Sequence, residues 1–136
     1  MQEMVVEARL ENLDKVNDFV QNSISSFDCS KKSIMQLGVI VEEIFVNIAS
    51  YAYPEQVGDV QVQIAVSQSP TAITLTFIDG GIKYNPLEVA DPDLELSVEE
   101  RGIGGLGIYL VKKMVEKISY NYTDEKNILS ITKNLS

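Results

Sequence analysis

Apolar and polar residues alternate strictly at Val60, Val62, Ile64 and Val66, and again at Ile73, Leu75 and Phe77, with Gln68-Ser69-Pro70 between them. A period of two puts each set on one side of a pleated strand, so the two runs predict an antiparallel hairpin with one buried face. Ile118 to Tyr122 and Ile128 to Leu135, around a turn at Asp124 to Asn127, predict a second hairpin, and Met4 to Leu10 predicts a strand with Val6, Ala8 and Leu10 on one side. Elsewhere the period is helical. Leu13, Val16, Val20, Ile24 and Phe27 mark an amphipathic helix started by Asn12 or Asp14. A second helix, started by Asp28 or Ser30, stops before Pro54, and a third carries Ile108, Leu110, Val111, Met114 and Val115.

The second helix is apolar almost all the way round from Val39 to Ala52, the pattern of a helix buried on more than one side. Its main core stripe is Ile34, Leu37, Val41, Ile44, Phe45 and Ile48, yet Glu43 and Asn47 stand one turn apart on another face. A carboxylate and a carboxamide flanked by Val39, Ile40 and Val46 are costly unless something polar meets them. Water on an ordinary solvated face is one answer; a metal-bound ligand is the other.

Composition narrows the chemistry. With 136 residues, 45% of them hydrophobic, the chain is expected to form one domain, residues 1–136, with a substantial core. A net charge of -9 argues against duplex DNA or an anionic membrane surface as partner. A single cysteine, Cys29, allows no internal disulfide and suits a reducing compartment. Neither a signal peptide nor a twenty-residue apolar span stands out, so a cytoplasmic protein is expected. Histidine is absent, which removes His-based nucleophilic triads, His-bearing zinc sites and any phospho-histidine acceptor within the chain.

Three polar constellations remain: Glu43 with Asn47, Asp79 with Gly81, and the glycine run Gly102, Gly104, Gly105 and Gly107. Glycines directly before a helix let backbone N–H groups and the positive end of the helix dipole approach a phosphate. Asp79, at a strand end beside Gly80-Gly81, offers an acceptor next to backbone that a ligand can approach, although Asp-Gly is also an ordinary turn. Asn47 can hold a magnesium ion through its oxygen, and Glu43 can orient an attacking hydroxyl. Together these describe a nucleotide site assembled from a helix, a strand end and a loop. The run formally fits G-x-G-x-x-G, but a dinucleotide fingerprint needs a parallel strand before the first glycine, and here a Pro-containing acidic segment, Lys83 to Arg101, precedes it.

In their order, Glu43-x-x-x-Asn47, Asp79-x-Gly81 and the glycine run opening Gly107-Ile108-Tyr109-Leu110-Val111 resemble the N, G1 and G2 boxes of the GHKL ATPases. Within that superfamily the chain is most similar to the anti-sigma-factor serine kinases of bacteria. The resemblance implies an α/β (α+β) two-layer sandwich, the Bergerat ATP-binding fold, with a mixed, mostly antiparallel sheet covered on one face by three helices. It implies that Asn47 ligates the Mg²⁺ bridging the phosphates of ATP, that Glu43 activates the nucleophile and that Asp79 accepts from the adenine amino group. Gly81 would let the base lie close, Gly102, Gly104, Gly105 and Gly107 would wrap the phosphates, and Lys83 to Arg101 would form a lid. Three positions depart from the pattern: Lys83 stands at the second glycine of D-x-G-x-G, Tyr51 replaces a basic residue or histidine, and Leu129, with Ser130 and Thr132 nearby, replaces a threonine of the last strand.

The function so implied is that of an ATP-dependent serine/threonine protein kinase that phosphorylates a STAS-type anti-sigma antagonist and thereby releases or captures a sigma factor. The homodimer is a further possibility of this class. The alternative is a non-catalytic, ATP-gated interaction module whose partner reads the nucleotide state.

Overall fold

The computed structural model describes residues 1–88 and 106–136. Five strands, β1 (Gln2–Glu7), β2 (Asp59–Ser67), β3 (Ala72–Asp79), β4 (Lys117–Thr123) and β5 (Lys126–Asn134), form a sheet in the order β1-β2-β3-β5-β4. The described pairings are all antiparallel. The period-two runs land where they were expected, because register is strongly specified when one face is buried: Val62 pairs with Phe77 and Ile64 with Leu75, then Phe77 with Leu129 and Leu75 with Ile131. The opposite face is polar in the middle, where Thr74 and Thr132 hydroxyls meet at 3.2 Å and Thr76 and Ser130 at 3.0 Å.

Helices α1 (Leu13–Ser23), α2 (Lys31–Tyr51) and α3 (Leu106–Met114) supply the second layer, α2 packing against both of the others. Ser30 starts α2, its hydroxyl accepting from the Ser33 N–H at 3.1 Å, which satisfies one of the donors a helix start leaves unpaired. Leu37, Ile40, Val41, Ile44 and Phe45 then bury fully against the sheet and the flanking helices. That double burial explains the all-round apolarity. It also makes α2 long and apolar enough, by length and composition, to cross a membrane, against the expectation that the chain holds no such span; its apolar surface is spent in the core instead.

Two boundaries differ from the sequence pattern. The first strand ends at Glu7 and turns the chain through a short 3-10 helix, Leu10–Asn12, so Met4 and Val6 pack on the core while Leu10 stays 58% exposed. α1 stops at Ser23, with Ile24 still buried just beyond its end and Phe27 in the turn that follows. In both places apolar residues continue a period that the backbone has already left. The second hairpin turns in two residues, Asp124 and Glu125, both at positive φ (54° and 62°), which places Asn127 inside β5 rather than in the turn.

Candidate functional site

At one end of the sheet, Asp79 closes β3 and Asn127 faces it across the β3–β5 ladder, both on the helix-covered side and both buried. The adjoining length of α2 contributes Ile44, Asn47 and Ile48. Between these elements lies a cavity of ≈ 530 Å³, lined by the apolar side chains of Ile44, Ile48, Ile108 and Leu129 and by Tyr51 and Tyr84. That size and that mixture of an apolar lining with few convergent polar groups suit a small organic ligand. Asp79, Asn47 and Asn127 supply side-chain polarity in its wall.

The polar groups differ in what they have already spent. Asp79 Oδ1 accepts from the Gly81 N–H at 2.9 Å and from Asn127 Nδ2 at 3.0 Å, whereas Oδ2 receives no hydrogen bond from a described residue. The Asn47 carboxamide and the Glu43 carboxylate likewise have no hydrogen-bond partner among the described residues. Glu43 does not line the cavity. It lies one turn before Asn47, against the first turn of α3, where a Cβ on Gly107 would collide with Glu43 Oε2. A carboxylate there also meets the favourable end of the α3 dipole.

Gly81 has an equally direct reason to be glycine. A Cβ at this position would strike the Ala52 carbonyl at the end of α2, and the next residue, Ile82, donates its N–H to that same carbonyl at 3.0 Å. Gly81 thus locks the loop after β3 onto α2. Tyr53 braces the same turn: its hydroxyl donates to the Asp59 carbonyl at 2.7 Å and accepts from the Gly80 N–H at 2.7 Å, and its ring covers Gly58. Burial pushes the Tyr53 phenol above its usual range, so it remains a donor at neutral pH.

Of the residues singled out in the sequence, the structure gathers Asn47 and Asp79 around one cavity and leaves Glu43, Gly81 and Gly107 outside its lining, each next in the chain to a lining residue. Gly102, Gly104 and Gly105 lie outside the described residues, as does the 89–101 part of the expected lid. Ser130 and Thr132 face the other side of the sheet and are paired with Thr76 and Thr74, so neither stands in for the missing threonine. The polar residue at the cavity from the last strand is Asn127, at a position where the sequence pattern predicts the turn Asp124 to Asn127. The signal for it in the sequence is the alternation Asn127, Leu129, Ile131, Lys133 along a single face.

A helix-borne Asn and a strand-end Asp thus share a cavity, and a Glu of the same helix is seated beside the first-turn glycine of a third element. The family model of the histidine kinase-like ATPase domain matches residues 6–133. The chain belongs to this family. An ATP site is what that ATPase domain implies. The serine/threonine-protein kinase BtrW of Bordetella bronchiseptica is 26% identical over 96 residues, which covers 71% of this chain and 67% of that protein. Among solved structures, the RsbU and RsbW domains of Rv1364c from Mycobacterium tuberculosis superpose with a TM-score of 0.62 at 11% identity. That match covers 99% of this chain and 33% of the other, so the ATPase-like domain is a third of that longer protein. The histidine kinase domain of the blue-light activated histidine kinase from Erythrobacter litoralis gives a TM-score of 0.55 at 16% identity, covering 92% of this chain and 64% of that one. These likenesses establish the same two-layer ATPase fold.

Proposed function

We propose that the domain binds Mg-ATP in this cavity and transfers the γ-phosphoryl group to a serine or threonine hydroxyl of a partner protein, a STAS-type anti-sigma antagonist, in the cytoplasm. The observation that carries the reading is the convergence of Asp79 and Asn47, each with unspent polar capacity, on one cavity of nucleotide size. In this reading Asp79 Oδ2 accepts from the exocyclic amino group of the base, and the cavity-lining side chains of Ile44, Ile48 and Leu129 give the base an apolar bed. The similarity to a protein named as a serine/threonine kinase favours protein phosphorylation as the outcome.

The residues present fit a magnesium ion that arrives with the nucleotide. The Asn47 carboxamide lines the cavity with no hydrogen-bond partner among the described residues, and Mg²⁺ commonly takes one or two protein ligands together with substrate phosphates. Asn47 would supply the protein oxygen. When bound, the ion neutralises charge on the phosphates. The partner hydroxyl oxygen bonds to the γ-phosphorus as the β–γ bridging bond breaks, ADP leaves, and the hydroxyl proton passes to Glu43. Positioning and electrostatics carry most of such a transfer.

One observation favours the second reading, an ATP-gated module without phosphotransfer. Glu43 sits against Gly107, where it can act as a latch between α2 and α3 rather than as a base. The two readings part on Glu43→Gln. For the kinase, this variant keeps Mg-ATP affinity within about twofold and loses at least about 100-fold in phosphotransfer to a candidate antagonist, the lower end of what a general base contributes, roughly 10²–10⁴. Loss of affinity with no effect on turnover would make Glu43 structural.

A further inference from the structure

Asn127 is 7% exposed, and all four of its side-chain hydrogen-bonding positions are filled. Its Nδ2 donates to Asp79 Oδ1 at 3.0 Å and to the Ile82 carbonyl at 2.9 Å. Its Oδ1 accepts from the Tyr84 N–H at 3.1 Å and from the Tyr120 hydroxyl at 2.5 Å. Because Oδ1 meets two donors and Nδ2 two acceptors, only one orientation of the amide satisfies the site. Burial pushes the Tyr120 phenol above its usual range, so it stays protonated and keeps donating.

The network joins β3, the segment that follows Gly81, β4 and β5 through one side chain. We propose that Asn127 is the positioning residue that gives this site its preference for a 6-aminopurine over a 6-oxopurine. This rests on the nucleotide reading of the cavity and deepens it.

The chemistry runs through Asp79. A carboxylate accepts and cannot donate, so it pairs with an amino group on the base and is repelled by a carbonyl in the same place. A mobile carboxylate escapes that repulsion: a 6-oxopurine carries a hydrogen on N1, and a small swing would let the carboxylate accept from it. Asn127 and the Gly81 N–H together fasten Oδ1, leaving Oδ2 at one fixed place in the cavity wall. Fastening the acceptor thus excludes the alternative pairing. Asn127 also fastens Ile82 and Tyr84 to the same point, so the loop flanking the base cannot shift to accommodate the change.

The test is equilibrium titration of Mg-ATP and Mg-ITP onto wild type, Asn127→Leu and Asn127→Ser, with the melting temperature of each protein recorded without nucleotide. Wild type should prefer ATP by at least about 30-fold, the span of a hydrogen bond to a charged group. Asn127→Leu should bring that ratio below about 5-fold, and Asn127→Ser, which can still donate to Asp79, should fall between. A structural role alone would lower both affinities together and leave the ratio intact, and that result would overturn the proposal. A wild-type ratio near one would also overturn it while leaving the nucleotide site standing. If wild type binds neither nucleotide, the reading of the cavity itself fails. Should the Asn127 variants not fold, Tyr120→Phe decides: loss of one donor to Oδ1 must lower the ratio, and an unchanged ratio rejects the role.

Discussion

The β3–β5 strand pair buries polar residues at both ends of its helix-facing side, two at one end and one at the other, and the ends differ in what those residues have left over. At one end Asn127 faces Asp79; at the other Lys133 faces Ile73. Lys133 is only 3% exposed, and its ammonium group donates to Gln36 Oε1 at 2.7 Å and to the Met114 carbonyl at 2.8 Å, where α3 ends. It is spent on tying α2, α3 and β5 together, and it does not line the cavity. Asp79 is held just as firmly, but only by Oδ1, and the cavity begins at its other oxygen. Burial of a polar group therefore does not by itself distinguish the two ends; what distinguishes them is that Asp79 keeps an acceptor beside open space and Lys133 does not line the cavity.

The largest effect that would sharpen the contrast is on binding. Asp79→Asn keeps an oxygen for the Gly81 and Asn127 donors but turns an amino group toward the cavity. It should weaken Mg-ATP by about 100-fold, the cost of losing a hydrogen bond to a charged group and setting donor against donor. Its melting temperature without nucleotide should stay near wild type. Undiminished ATP affinity in a titration would remove Asp79 from base recognition.

Lys133→Met should behave in the opposite way. Leaving the Met114 carbonyl and Gln36 unpaired costs about 1–2 kcal/mol, read as a lower denaturant midpoint, with ATP affinity unchanged. A weaker ATP site with unchanged stability would break the comparison.

The smallest effect is a slope. Burial lowers the Lys133 pKa from its ordinary 10.5, so the folded state releases this proton before the unfolded state does. The unfolded chain then binds more protons across that interval, and stability gains a positive contribution as pH rises. At neutral pH the cost of burying the ammonium is fully present; it is relieved between the lowered pKa and 10.5. Subtracting the Lys133→Met profile from that of wild type should expose this rise, and parallel profiles would mean that Lys133 is not strained by burial.

The hairpins and the central helix were legible because burial on one or both faces writes a period into the sequence. Glu43 and Asn47 stand out in the sequence as polar residues out of keeping with their apolar neighbours, and Asp79 as an acceptor at a strand end beside Gly80-Gly81. Asn127 does not, since Glu125-Lys126-Asn127 reads as the tail of a turn and its meaning lies in Asp79, 48 residues away in the chain. Gly81 and Gly107 were recognised as required glycines, yet the reason on view is local: one fits under the Ala52 carbonyl, the other under Glu43. Close approaches of this kind are set by packing between elements, which no pattern along one element can report.

Whether the cavity is a metal-nucleotide site is decided by the melting temperature of wild type and Asn47→Ala with and without Mg-ATP. A ligand at a hundred times its Kd adds about 2.7 kcal/mol, several degrees in a domain of this size. Wild type should rise by that amount and Asn47→Ala much less. An equal rise in both would take Asn47 out of the metal site, and no rise in either at saturating Mg-ATP would contradict the account.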